Sequence, residues 1–119
     1  MPYRSILEEL VNRTPHSIGA ILIDWEGEAV QEYCHCAPDD IRFMAAHQAI
    51  ILNRLRELSG SNGSGGMVLD FSISTDRAHL IFGCIDDDYS LMMSVERRCP
   101  LHLALHHLRD SVTELKREI

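Results

Sequence analysis

Basic side chains are what this chain of 119 residues has in short supply: eleven Lys and Arg face eighteen Asp and Glu, a formal charge of −7. Lys116 stands alone as a lysine and the arginines are scattered, so no cluster exists to neutralise phosphates, and nucleic acid is excluded as a partner. No apolar run approaches the ~20 residues that cross a bilayer. No membrane association is expected. The start, Met-Pro-Tyr-Arg-Ser, carries no signal-peptide hydrophobic region, and a cytoplasmic location is the expectation. Catalytic signatures are missing too: no Gly-x-Ser-x-Gly elbow and no His-Glu-x-x-His occurs. An enzyme with its own active site is not expected, and no cofactor is.

The four cysteines do not form a disulfide framework. Cys34 and Cys36 are two apart and, on a strand, share a side; Cys84 sits in an apolar run and Cys99 precedes a helix. Reduced thiols are expected. Cys34-His35-Cys36 reads as ordinary strand sequence. The dipole of the helix after Cys99 would make that thiol somewhat acidic. Cys99, His102 and His106 have the spacing of metal ligands, but a zinc site needs a fourth ligand and supporting hydrogen bonds that the sequence does not reveal. Histidines flanking an apolar stripe are the plainer reading, and no metal is expected. Asp86-Asp87-Asp88 lacks the alternating oxygen ligands of a calcium loop and reads as a solvated turn.

What is present is a regular succession of elements. Ser5 and Glu8 have capping-box spacing, and with Pro15 as a stop they predict a helix over Ser5 to Arg13. Ile18 to Ile23 is apolar on both faces, as in a strand covered from both sides, and a turn at Asp24 to Gly27 leads to a more polar strand over Glu28 to His35, nearer an edge. A helix from Pro38-Asp39-Asp40 to Leu58 ends at Ser59-Gly60. The glycine-rich stretch from Ser59 to Gly66 reads as a connector; it lacks the Gly-Lys-Ser/Thr ending of a phosphate loop. Three strands follow: Met67, Leu69, Phe71 and Ile73 alternate in a half-buried one, Ala78 to Ile85 is central, and Leu91, Met93 and Val95 alternate in the last. Pro100 opens a final helix with the stripe Leu101, Ala104, Leu105, Leu108, Val112, Leu115 and Ile119. The fold class is therefore α+β: helix, two strands, helix, three strands, helix, with a five-stranded antiparallel sheet covered on both faces. One domain is expected over residues 1–119.

The second helix has one apolar face too many. At about 100° per residue, Ile41, Met44, Ala45, Gln48, Ile51, Leu52 and Leu55 form an inward stripe. Phe43, Ala46 and Ile50 fall on the opposite side with His47 and Arg54. Every other apolar stripe is used by a single sheet-and-helix core, so this face calls for a second molecule, and a twofold-related copy of the same helix fits it.

That element order resembles the Roadblock/dynein light chain family. The resemblance rests on Ile6-Leu7-Glu8-Glu9-Leu10 in the first helix, Ile18-Gly19-Ala20-Ile21-Leu22-Ile23-Asp24 turning at Gly27, the apolar second helix, and Leu80-Ile81-Phe82-Gly83. It implies a profilin-like fold of Roadblock type and a homodimer formed through the second helix and third strand. It further implies a Ras-like small GTPase as partner, as for the bacterial single-domain regulators of gliding motility or polarity, which can promote GTP hydrolysis. Arg42, Arg54 and Arg77 are the arginines expected to be exposed; Arg54 lies on the surplus face. The competing reading is a small-molecule or metal sensor of profilin or PAS type, motivated by Cys99, His102 and His106.

Overall fold

A computed structural model describes residues 2–61 and 66–119. The first helix, α1 (Pro2–Arg13), is followed by the hairpin β1 (Ser17–Asp24) and β2 (Ala29–Cys34). A long helix α2 (Pro38–Ser61) leads to the meander β3 (Asp70–Ser74), β4 (Ala78–Cys84) and β5 (Tyr89–Glu96), and α3 (Leu101–Glu118) closes the chain. All neighbouring strands run antiparallel, in the order β2-β1-β5-β4-β3. The hairpin and the meander meet where β1 pairs with β5.

Strand alternation sorts the side chains into two cores. Ala20, Leu22, Ile81, Leu91, Met93 and Val95 face α1 and α3, where Leu7, Leu10, Leu108 and Leu115 are fully buried against them. Ile21, Ile23, Phe82 and Met92 face α2 and meet Ile41, Ala45, Ala49 and Leu52. Gly19 allows the second layer to close: a Cβ there would lie 2.4 Å from Cys34 Cβ and 2.9 Å from Ile41 Cδ1. The architecture expected from the pattern, with helices on both faces, is the one observed.

Several details differ from the sequence pattern, each for a local reason. The first helix begins at Pro2, and Ser5 Oγ donates to the Pro2 carbonyl at 2.9 Å, so no capping box forms. Proline suits a first turn because its missing N–H would have been unpaired there, and Tyr3 packs on the core to hold that turn in place. The second helix runs past Gly60 to Ser61, since the cost of one glycine is small beside the bond each added residue makes. Asn62 to Gly65, most of the expected connector, lies outside the described residues.

Within the meander, β5 and not β4 takes the middle of the sheet: Ser90 and Ser94 are buried along with its apolar residues. Small serines tolerate that position because their hydroxyls take little room, which makes the strand read as half-polar. The third strand starts at Asp70, leaving Met67 and Leu69 largely exposed just before it.

Candidate functional site

The outward face of α2 is built by helical spacing alone. Phe43 and Ile50 stand two turns apart and are 67% and 62% exposed, although each is a large apolar side chain. Ala46, His47 and Arg54 are exposed on the same face. The His47 ring lies 4.4 Å from that of Phe43, and its Nδ1 is 3.0 Å from the Phe43 carbonyl oxygen, so the pair is held in one arrangement. Arg54 Nη1 is 3.5 Å from Glu57 Oε2, a pair in full contact with water. The five residues singled out from the sequence are thus brought together on one surface.

Two corrections sharpen it. Ile51, assigned to the inward stripe, is exposed, and Ala49 is buried in its place. Gly27 of the β1–β2 turn, at φ 86°, lies beside Ala46 and Ala49 at ordinary packing distance, an added Cβ there being 3.5 Å from the Ala46 Cα and the Ala49 Cβ. Ile51 lies outward, where Leu58 is exposed as well. Amphipathic counting could have found this by giving alanine the weight of a contact residue.

The two flanks of α2 differ. Toward β2, Arg42 pairs with Glu32 and lies 3.8 Å from Asp39. Toward β3, Met44 shares a cluster with Val68 and Phe71, and beyond it β3 is the outer strand with one edge open. Met67 and Leu69 extend the exposed apolar surface in that direction.

The other chemical candidates do not assemble. Cys99 is buried in the α1–α3 core, whereas His102 is exposed and His106 pairs with Asp110 at 3.6 Å. Among the described residues no three metal-ligating side chains come together. Burial pushes the Cys99 thiol up, the opposite direction to the acidity expected from the helix dipole. Cys34 and Cys36 are free and half-buried, with Cys34 Sγ donating to the Cys36 carbonyl at 3.1 Å. Burial, then the neighbouring Cys34 thiol, pushes Cys36 to about 11. At neutral pH it is a poor nucleophile. Asp86 Oδ1 accepts from the N–H groups of Asp88 and Tyr89, both at 2.8 Å, which is turn chemistry. Arg42 and Arg77 are both exposed, Arg42 paired with Glu32 and Arg77 in the β3–β4 turn.

No protein-family pattern matches the sequence, and no curated protein does. Solved structures do match. A Roadblock/LC7 domain from Streptomyces avermitilis superimposes with a TM-score of 0.86 at 20% identity, over 96% of this chain and 94% of that one. MglB from Myxococcus xanthus gives 0.87 at 14% identity, over 99% and 94%. Profilin II from Acanthamoeba castellanii is similar at a lower level, 0.66 at 13% identity, over 98% of each chain.

The fold is that of a Roadblock/LC7 domain.

In this Roadblock fold one sheet face is covered twice over, by α1 and α3, and the other by α2 alone. Phe43, Ile50, Ile51 and Leu58 of α2 are exposed on the single-helix side.

Proposed function

We propose that the chain is a homodimeric, non-enzymatic regulator or scaffold that docks a Ras-like small GTPase, with residues 1–119 acting as one Roadblock-type domain. The observation that carries this reading is the apolar outward face of α2. Phe43 and Ile50 stand in water in the single chain, and a twofold axis beside them would bury both against their own copies. The adjoining β3 edge has backbone groups available to a second sheet, so helix and strand can contribute to one continuous contact. Likeness of fold to MglB supports a regulatory role over a catalytic one. His47 and Arg54 border the paired surface, where a GTPase could meet both copies.

Light scattering on purified protein tests the first half. The expected mass at micromolar concentration is twice 13.5 kDa. Phe43→Glu should return it to a single chain, because the dimer would otherwise bury an unpaired charge. A monomeric wild type at that concentration would sink the proposal. Capture of a Ras-like GTPase loaded with GDP or a GTP analogue, by wild type and by Phe43→Glu, tests the second half; equal failure in both nucleotide states removes the GTPase.

A further inference from the structure

Trp25 takes no part in the surface just described, yet it is the chain's only tryptophan and is 61% exposed. Its turn is rigid: Asp24 Oδ1 accepts from the N–H groups of Glu26 and Glu28 at 2.9 and 3.0 Å. The strand that follows, β2, is the other outer strand of the sheet. Arg4 covers its far end by donating to the Glu32 carbonyl at 3.3 Å, which leaves the stretch from Ala29 to Gln31 as the open part of the edge. Between this edge and α2 runs an open trough of about 710 Å³, with Val30 on its strand side and Phe43 and Ala46, shared with the outward face of α2, on its helix side.

The trough is acidic. Glu28 and Asp39 in its wall are exposed, Glu32 lies deeper, and Glu26 is exposed in the turn just before it. The one cation in the wall, Arg42, is engaged by Glu32 and Asp39. A second copy offering this same edge would set Glu26, Glu28 and Glu32 against identical carboxylates, and like charges facing one another across strands repel. Charge therefore opposes self-pairing.

We propose that this trough docks an extended, basic segment of a partner protein. The segment adds along Ala29 to Gln31 through its backbone, sets arginine or lysine side chains against Glu28 and the neighbouring turn's Glu26, and lays an apolar side chain against Val30. Strand addition supplies affinity through main-chain bonds, and alternate side chains supply selectivity. Trp25, exposed in the turn that leads into this edge strand, is of the residue type that anchors small interfaces.

Trp25 is also the reporter. Its emission should shift to the blue and saturate on titration with a short peptide alternating arginine and valine. A peptide alternating glutamate and valine should leave it unchanged. Glu26→Lys with Glu28→Lys should weaken the arginine peptide about tenfold or more. Glu8→Lys with Glu9→Lys, the same charge change on α1 across the sheet, should leave its affinity within about twofold. Four results would overturn the proposal: no shift, an equal response to the glutamate peptide, an equal loss in the α1 variant, or a change in the chain's own mass caused by Glu26→Lys with Glu28→Lys. The last of these would assign the trough to a second copy. None depends on whether a GTPase binds.

Discussion

Both faces of the sheet carry a buried core, and the helices over them are differently dressed outside. Under α1 and α3, Leu7, Leu10 and Leu108 are sealed from solvent, and under α2 so are Ile41 and Ala45. Outward, α1 presents Glu8, Glu9 and Asn12, and α3 presents His102, His106 and Asp110, whereas α2 presents Phe43 and Ile50. Inward residues answer to the fold, because every layer must hide its stripe to offset chain entropy. Outward residues are free of that demand. An apolar choice there is what the proposed second copy would cover.

The sharpest way to break this contrast is to truncate the two inner sides. Leu108→Ala and Ile41→Ala should each lose roughly 2–5 kcal/mol of stability by urea unfolding, since both empty a packed site. Ile50→Ala, one helix face away, should cost less than about 0.5 kcal/mol in a chain already made monomeric by Phe43→Glu. A large loss from Ile50→Ala in that background would mean the face is packed within the chain after all.

A smaller effect separates the layers by pH. His107, between α3 and Arg13 of α1, has its pKa lowered from the ordinary 6.5 by burial first and then by Arg13 and His106, with Asp110 opposing. The folded protein therefore binds this proton less readily than the unfolded chain does. Stability is full above the unfolded value and is lost as pH falls through the depressed folded one. Thermal melts between about pH 7 and 5 should show a decline that His107→Gln makes shallower. An unchanged slope would remove the assignment. Smallest of all, Glu8→Gln on the polar side of α1 should stay within about 0.5 kcal/mol of wild type, and a larger shift would show that this face is not merely solvated.

Much of this was legible before any coordinates. Pro15, Gly27, Pro38 and Pro100 punctuate the chain close to where elements end or begin, and double-sided apolar runs mark β1 and β4 as strands covered on both faces. Phe43, Ala46, His47, Ile50 and Arg54 fell on one face by arithmetic and share it in the structure. Other features were hidden from any local reading. The place of β5 at the centre depends on its pairing with β1, some seventy residues away in sequence, and its serines disguised the burial. The burial of Ala49 involves packing beside a turn from another part of the chain. Cys99 was read from the helix after it, while the shell of α1 and sheet residues around it decided its chemistry.

The sequence by itself determined the order and kind of elements, and the presence of one apolar face without a use. Those properties follow from spacing along the chain, which the backbone geometry of helix and strand converts directly into faces. Tertiary structure alone decided which strand lies in the middle, which flank of α2 meets the open β3 edge, and which meets the acidic trough beside Trp25. Such matters depend on contacts between distant segments, whose energies no local pattern records.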